Sequence, residues 1–215
     1  MIKTWITDVS PLLDVKEYQR CHDLLPIWRK DKADKLRGSI NKAQSVGVWM
    51  LWMQMKEYFS IDDTAICSFS HSGDFAICSA EISGKSFVKL GCDIEKMRER
   101  DDFIDRFAKR FFSESEYQAI HLCNTLEEKR DMFYRIWVLK ESFVKATGKG
   151  LAVDTRGFEI CLKGQIPVLN ILDEHADFGD GYKFYELEPI DLSYKVGLCT
   201  TATQVDTVLE HRLIL

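Results

Sequence analysis

Two acidic residues at alternating positions are the first candidates for chemistry. Asp93 and Glu95 fall within residues 87–95, where apolar and polar residues alternate in the pattern of a half-buried β-strand. Side chains two apart on a strand leave the same face, with Cα atoms about 6.6 Å apart. One hard cation could therefore reach both carboxylates, and Gly91 on that face is interpreted as leaving space for a ligand. An ordinary solvent-facing strand would show the same pattern.

A second set of candidates lies on a predicted long helix. A capping box at Thr125 starts a helix over Leu126–Thr147, and Gly148 stops it. Its apolar stripe is formed by Met132, Ile136, Leu139 and Phe143. Trp137, Glu141 and Lys145 form a row at positions i, i+4 and i+8 on another face. This row predicts either a surface ion pair or, because it includes a tryptophan, the wall of a cleft.

Two further segments could contact an anion. Ser70-His71-Ser72-Gly73 stands between two short predicted strands and is interpreted as a tight turn. Its histidine could donate a hydrogen bond to a phosphate oxygen or only cap the backbone. Residues 29–42 contain six basic and two acidic residues. This basic segment predicts either a solvated helix face or an anion site.

Composition excludes several classes of function. The formal charge of −5 argues against a general nucleic-acid binder. The chain start shows no basic leader, and the longest apolar run, residues 46–53, is too short to span a bilayer, so we expect no membrane association. Seven cysteines without a CxxC pair predict reduced thiols in a cytoplasmic protein. The chain has no G-x-S-x-G, P-loop or dinucleotide fingerprint.

The pattern of elements predicts two closely fused halves, because no flexible linker divides the 215 residues. Residues 43–59 predict a first-half helix buried nearly all round. The predicted strands are residues 1–8, 65–69 and 75–82 in the first half, and residues 87–95, 158–162, 181–187 and 194–200 in the second. The last three are expected to form an antiparallel sheet. Residues 75–80 and 196–201 have a similar sequence pattern, which is weak evidence for a duplicated unit.

Four motifs together resemble the signature of the 4'-phosphopantetheinyl transferases. They are Ser68-Phe-Ser-His-Ser-Gly73, Gly91-Cys-Asp-Ile-Glu95, Arg110-Phe-Phe-Ser-Glu-Ser-Glu116, and Trp137-Val-Leu-Lys-Glu-Ser-Phe-Val-Lys145 followed by Gly148-Lys-Gly150. Their order and intervals agree with that family over about residues 68–158. The chain length is similar to that of the two-lobed, monomeric, surfactin-synthetase-activating branch.

The resemblance implies an α+β fold with a first lobe over residues 1–86 and a second over residues 87–215. Each lobe would have an antiparallel sheet and a long helix, and a pseudo-twofold axis would relate the two, with coenzyme A in the cleft between them. The implied reaction transfers the 4'-phosphopantetheine group of coenzyme A to a serine of an apo carrier protein of acyl, peptidyl or aryl type. Adenosine 3',5'-bisphosphate would be released.

The resemblance also implies roles for particular residues. Asp93, Glu95 and Glu141 would hold Mg²⁺, for which Mn²⁺ could substitute. Glu141 would accept the serine proton, directly or through water, and Lys145 would stabilise or protonate the leaving phosphate. The implied contacts with coenzyme A phosphates are made by Ser70, His71, Lys32 and Lys35. Family members commonly have an arginine before the buried first-half helix, where this chain has only residues 42–45 (Lys-Ala-Gln-Ser), so the first-lobe contacts with the adenine and the 3'-phosphate are expected to differ.

Carrier proteins are typically acidic along their recognition helix, which suggests a docking surface. Residues 96–110 contain six basic and four acidic residues and are followed by Phe111 and Phe112. Two other interpretations stay open at this point. One is an inactive protein of the same fold that binds coenzyme A or a carrier, and the other is a magnesium phosphohydrolase that acts on nucleotides.

Overall fold

The structure of the protein is a computed structural model that describes residues 1–85, 87–99, 101–162, 164 and 166–214, with the backbone alone at 101 and 102. Within them, the strands are β1 (Ile2–Asp8), β2 (Cys67–Ser72), β3 (Phe75–Glu81), β4 (Leu90–Lys96), β5 (Phe158–Cys161), β6 (Val168–Ile171), β7 (Lys183–Leu187), β8 (Tyr194–Thr200) and β9 (Val205–His211). The α-helices are α1 (Val15–Leu24), α2 (Ile27–Asp34), α3 (Ser39–Phe59), α4 (Asp101–Phe111), α5 (Glu114–His121) and α6 (Leu126–Thr147).

The strands form two main sheets, which confirms the predicted α+β class. The first sheet has the order β2-β3-β1-β9 and the second the order β4-β8-β7, while β5 and β6 form a separate hairpin. All pairs are antiparallel except β1 with β9, which run parallel. The two segments of similar sequence pattern, residues 75–80 and 196–201, correspond to β3 and β8, and each of these strands lies between two others of its sheet. The pseudo-twofold relation itself stays a prediction.

Helix α3 packs on the first sheet as its apolar sequence predicts. It begins at Ser39, four residues before the predicted start, after Gly38 with its positive φ of 83°. It ends where Ser60 takes the left-handed conformation at φ 53°. Leu51 and Trp52 are buried against β1 and β3. Burial on nearly all sides explains why this helix can be so apolar and is not an amphipathic surface helix.

Helix α6 has the predicted limits, and its packing corrects the interpretation of β4. Thr125 forms the predicted capping box with Glu128, and Gly148 ends the helix at φ 68°. The helix lies over β4 and β8 so closely that a Cβ at Gly91 would stand 2.6 Å from the Ala146 nitrogen. Strand β4 is therefore covered on both faces and is not half-buried as predicted. Gly91 makes room for the helix backbone and not for a ligand.

Side chains join the two sheets at the strands β2 and β4. The Ser68 hydroxyl accepts a hydrogen bond from the Cys92 backbone N–H at 3.0 Å, and the Ser72 hydroxyl accepts one from the Lys96 N–H at 3.1 Å. No ladder of backbone hydrogen bonds links these strands in the described sheets. The two halves are thus held side by side by serine hydroxyls on alternate residues of β2.

Three other predictions differ from the structure or remain open. Ser70, His71 and Ser72 belong to strand β2 and not to a turn, because antiparallel pairing with β3 continues through Ser72. The strand at residues 158–162 pairs with β6 and does not join the sheet of β7 and β8. The division after residue 86 stays a prediction: Ser86 lies outside the described residues, and β9 returns to pair with β1.

Candidate active site

A cleft of about 830 Å³ opens between the two halves of the molecule. Residues 67–69 of β2 form one wall, and Trp137, Glu141 and Lys145 of α6 form the other. The end of α4, with Arg110 and Phe111, and the segment 148–155 border the same space. A volume of this size lies within the usual range for a cofactor or substrate site. The helix row identified in the sequence therefore faces a cleft and is not a free surface.

Lys145 connects the cleft wall to the acidic strand. Its ammonium group donates to the Asp93 Oδ1 at 2.7 Å, to the Cys92 carbonyl at 3.0 Å and to the Phe69 carbonyl at 3.4 Å. The first two acceptors lie on β4 and the third on β2. An ammonium has three protons, so these contacts use its full donor capacity. Lys145 thus orients Asp93 and links the two halves in this structure.

The three predicted metal ligands lie near one another but are not gathered into a closed cluster. Among the described residues, no three histidine, cysteine, aspartate or glutamate side chains already form a metal-binding group. Asp93 is 4% exposed behind Lys145, whereas Glu141 lines the cleft. Ser70 and Ser72 donate hydrogen bonds of 2.7 Å to Asp93 and Glu95, respectively.

A buried oxygen atom of Asp93 indicates whether the three carboxylates fit a cation. The Asp93 Oδ2 is buried and has no hydrogen-bond partner in the part of the chain that is described. A buried carboxylate oxygen without a partner is costly unless something supplies positive charge or a hydrogen bond. Two glutamates of the same site add further oxygen atoms, the ligand type that Mg²⁺ prefers. The residues present therefore fit a hard divalent cation.

The electrostatics of the site agree with a concentration of negative charge. Burial raises the pKa of Glu141, and the charges of Asp93 and Glu95 raise it further, whereas Lys145 lowers it. Burial also raises the pKa of Glu95, and the charge of Asp93 adds to this effect. Bringing like charges together raises carboxylate pKa values in this way. The three carboxylates are therefore near enough to repel one another.

The predicted phosphate contacts are only partly assembled around the site. His71 is accessible to solvent, but partial desolvation by the surrounding protein lowers its pKa, and the positive charges of Lys145 and Lys32 act in the same direction. Lys32 on α2 thus lies within electrostatic reach of His71. The Ser70 hydroxyl is turned toward Asp93. In the described part of the chain, no hydrogen bond or ion pair ties Lys35, just after α2, to the site.

The sequence interpretation missed Ser72 as a member of the site. Its side chain donates a hydrogen bond to Glu95, and the Trp137 side chain lies near enough to that carboxylate to lower its pKa. The sequence did indicate this role, because Ser68, Ser70 and Ser72 stand at alternate positions and must share one face of a strand. Only the placement of β2 beside β4 shows what that face contacts.

Comparison with known proteins now supplies the family. The family model for the 4'-phosphopantetheinyl transferase superfamily matches residues 89–196, half of the chain. The chain is 36% identical over 134 residues to the 4'-phosphopantetheinyl transferase Sfp of Bacillus subtilis (strain 168), a region that covers 61% of this chain and 53% of that protein. To the L-aminoadipate-semialdehyde dehydrogenase-phosphopantetheinyl transferase of Mus musculus it is 36% identical over 120 residues, which cover 54% of this chain and 35% of the mouse protein.

The chain belongs to the 4'-phosphopantetheinyl transferase superfamily, and within it to the Sfp-like type. The match spans about half the length of the curated relatives. The family model covers all of β4 and α6, the elements that bring Asp93, Glu95, Glu141 and Lys145 together, and the first three residues of β8. In the described part of the chain, no helix is long and apolar enough to cross a membrane.

Proposed function

We propose that the protein transfers the 4'-phosphopantetheine group of coenzyme A to a serine of an apo carrier protein and releases adenosine 3',5'-bisphosphate. The observation that carries this proposal is the grouping of Asp93 and Glu95 with Glu141 and Lys145, the last two of which line the cleft between the halves. The names of the relatives, all of which refer to phosphopantetheinyl transfer, support the same reaction. We also propose that the protein acts as a cytoplasmic monomer, and its seven free cysteines support a reducing compartment.

The acidic residues of this site are proposed to hold Mg²⁺ or Mn²⁺. Asp93 would contribute its unpartnered Oδ2, and Glu95 and Glu141 would contribute further oxygens. When bound, the cation supplies positive charge that stabilises phosphate oxygens and the departing bisphosphate. Phosphoryl transfer needs mainly positioning and charge, so a rigid carboxylate set on a strand and a helix suits it.

Glu141 is proposed to accept the proton of the carrier serine. It lines the cleft, whereas Asp93 is buried behind Lys145 and engaged by two hydrogen bonds. A general base must come within hydrogen-bond reach of the proton that it accepts, which favours a carboxylate on the cleft wall. Lys145 is proposed to stabilise the leaving phosphate. Burial alone would lower the pKa of Lys145, but Asp93 and the other neighbouring groups, Glu141 among them, together raise it, which supports a charge-stabilising role over proton donation.

The other contacts retained from the sequence remain part of the proposal. His71 is exposed beside the site and would donate to a coenzyme A phosphate, with Ser70 as its neighbour. Lys32 and Lys35 are exposed and would pair with the 3'-phosphate. The carrier is proposed to dock along residues 96–110 and Phe111, whereas Phe112, included in the surface predicted from the sequence, is only 2% exposed and belongs to the core. Arg110 and Phe111 at the end of α4 border the cleft, which supports this docking, while Arg100 lies outside the described residues.

The decisive experiment measures covalent transfer. Several apo carrier proteins are incubated with the enzyme, coenzyme A and Mg²⁺, and intact-protein mass spectrometry then reports phosphopantetheine on one serine. We expect the modified mass with coenzyme A and the cation together, and its loss after chelation by EDTA. Transfer that persists in EDTA would contradict the metal site. Release of adenosine bisphosphate without a modified carrier would identify a hydrolase.

A further inference from the structure

The hydroxyl of Ser72 has a fixed orientation at the junction of the two halves. It is 7% exposed, and it accepts the Lys96 backbone N–H at 3.1 Å. Its single proton is donated to the Glu95 Oε2 at 2.7 Å. A hydroxyl that accepts from a rigid backbone group and donates to a carboxylate cannot rotate without losing one of the two hydrogen bonds. Ser72 therefore holds Glu95 from the opposite half.

Glu95 needs such support more than Asp93 does. Its side chain has one more rotatable bond, so holding it in one rotamer costs more conformational entropy. Asp93 is fixed by Ser70 and Lys145 together. Glu95 is held by the hydrogen bond from Ser72, and Trp137 of the cleft wall lies nearby.

We propose that Ser72 is a positioning residue that orients the Glu95 carboxylate for the divalent cation, so that the metal site is completed across the junction of the two halves. The inference rests on the proposed function, because it assigns Glu95 to a metal. Partners that orient metal ligands typically contribute roughly 10–100-fold to metal affinity. Ser72 itself does not touch the cation or the substrates in this proposal.

The test measures Mn²⁺ binding by the electron paramagnetic resonance signal of free Mn²⁺, with coenzyme A present and an enzyme-free blank subtracted. We expect Ser72→Ala to weaken Mn²⁺ binding about 10-fold or more. Ser72→Thr keeps the hydroxyl and should return the affinity to near the wild-type value. In transfer assays Ser72→Ala should raise the Mg²⁺ concentration needed for half the maximal rate, while the rate at saturating Mg²⁺ stays near that of the wild type.

A matched control separates positioning from loss of a buried hydroxyl. Thr4→Val removes a hydroxyl that bonds Ser79 at 2.8 Å inside the first sheet. It should lower the melting temperature without changing Mn²⁺ affinity. If Ser72→Ala does not fold, Ser72→Cys keeps the volume with a much weaker donor and is used instead.

The outcomes distinguish this inference from the proposed function. Equal Mn²⁺ affinity of wild type and Ser72→Ala overturns the positioning role and leaves the proposed function standing. A matched loss of affinity in Ser72→Ala and Thr4→Val also overturns it, because the effect is then one of general stability. A wild-type protein that transfers phosphopantetheine but binds no Mn²⁺ overturns the metal assignment and this inference with it.

Discussion

At the residue scale, the site combines groups that would be ordinary if each stood alone. A Glu–Lys pair one helical turn apart is usually an exposed ion pair with little effect on stability. Here Glu141 and Lys145 border a cleft, and Lys145 is turned onto the buried carboxylate of Asp93. Desolvation makes each charge interaction stronger than it would be in water. The chemistry therefore depends on the environment of these residues as much as on their types.

Glu141→Gln separates metal binding from proton acceptance. The amide keeps the shape and one oxygen ligand but removes the negative charge and nearly all basicity. We expect the maximal transfer rate to fall by about 10²–10⁴-fold even at saturating Mg²⁺, as is typical when a general base is lost. Steady-state kinetics with an apo carrier measures this, and coenzyme A binding should persist because Asp93 and Glu95 remain.

Other outcomes of the same experiment are informative. If added Mg²⁺ restores the rate, Glu141 acts only as a ligand and water or another group accepts the proton. If neither the rate nor the Mg²⁺ dependence changes, the assignment of the active site to the α6 row is wrong.

His71→Ala tests the predicted phosphate contact. A hydrogen bond to a charged phosphate contributes about 1.5–3 kcal/mol. We therefore expect the apparent dissociation constant for coenzyme A to rise by roughly 10- to 150-fold, while the Michaelis constant for the carrier protein stays nearly unchanged. Isothermal titration with coenzyme A, compared with the carrier-dependent rate, measures both effects. Normal coenzyme A affinity in the variant would leave His71 a merely structural residue of β2.

At the element scale, the decisive feature is how closely α6 approaches the second sheet. Gly91 on β4 faces the backbone of α6, and a Cβ at Gly197 on β8 would stand only 2.7 Å from the Val138 carbonyl oxygen of the same helix. Gly197 is also the residue that pairs with Asp93 across the two strands. The absence of side chains at both glycines lets the helix carry Glu141 and Lys145 down to Asp93.

Gly91→Ala should therefore be strongly destabilising. The new Cβ would overlap the Ser142 carbonyl and stand 2.6 Å from the Ala146 nitrogen, so that the helix itself must move. Overpacking of this kind costs typically 1–3 kcal/mol and sometimes more, and we expect about 3 kcal/mol or more here. Urea unfolding of the variant and the wild type measures the difference.

Gly148→Ala provides the control for Gly91→Ala. Gly148 has a φ of 68° and open space around the position of a Cβ. We expect only the cost of a left-handed alanine, about 1–2 kcal/mol. If the two variants lose the same free energy of unfolding, Gly91 is not needed for the close packing of α6 on β4.

A buried ion pair fixes the neighbouring helix to α6. Lys140, with 0% side-chain exposure, donates to both carboxylate oxygens of Glu116 and to the Phe158 carbonyl. The Ile160 backbone N–H also donates to Glu116. Removing one charge of such a pair usually destabilises a protein far more than the intact pair stabilises it, because the other charge is left buried without a partner. Lys140 and Glu116 thus anchor α5 and the β5 strand beside the helix of the active site.

At the scale of the whole molecule, the two main sheets meet at β2 and β4 through side chains and not through a continuous ladder of backbone hydrogen bonds. The serines of β2 reach β4, and Lys145 reaches the Phe69 carbonyl of β2. The cleft lies along this junction. The strand β9 also returns from the second half of the chain to pair with β1. Stability of the first half and assembly of the site are therefore connected.

The stability of the molecule should depend on Glu81 in acid. Burial alone would raise the pKa of this carboxyl, but the N-terminal ammonium, Ser83 and the Lys85 N–H hold it at about 2, against an ordinary value of 4.5. Because the pKa of Glu81 is lower in the folded state than in the unfolded state, its ionisation stabilises the fold at pH values above the unfolded-state pKa. This stabilisation is lost as the pH falls from about 5 to about 2. At roughly 1.4 kcal/mol per pKa unit the contribution is about 3 kcal/mol.

Glu81→Gln tests this dependence. We expect the variant to be less stable than the wild type at pH 7 and the difference to shrink at pH 3, as measured by urea unfolding at both values. Glu174→Gln, at an exposed position, serves as the control and should show little difference at either pH. A difference that is the same at pH 7 and pH 3 would contradict the lowered pKa of Glu81.

Local patterns of residues were enough to predict the family and the elements that carry the candidate site, but not the helices α1, α2 and α4 or the strands β6 and β9. Capping residues fixed both ends of α6, because a hydroxyl with a glutamate three residues later and a terminal glycine act within one turn of the chain. Periodicity placed α3 in the core and brought Trp137, Glu141 and Lys145 to one face. The spacing of Asp93 and Glu95 likewise put both on one face of β4.

What these faces meet became clear only from the packing of the whole chain. Alternation predicted β4 to be half-buried, but α6 covers its polar face, because Gly91 and Gly197 let the helix approach. The segment with His71 resembled a turn because of its serines and glycine, yet pairing with β3 extends the strand through Ser72. The contacts of Ser72 with Glu95 and of Lys145 with Asp93 join residues more than 20 and 50 positions apart, respectively. Such contacts depend on how sheets and helices pack, and no local pattern of residues specifies that packing.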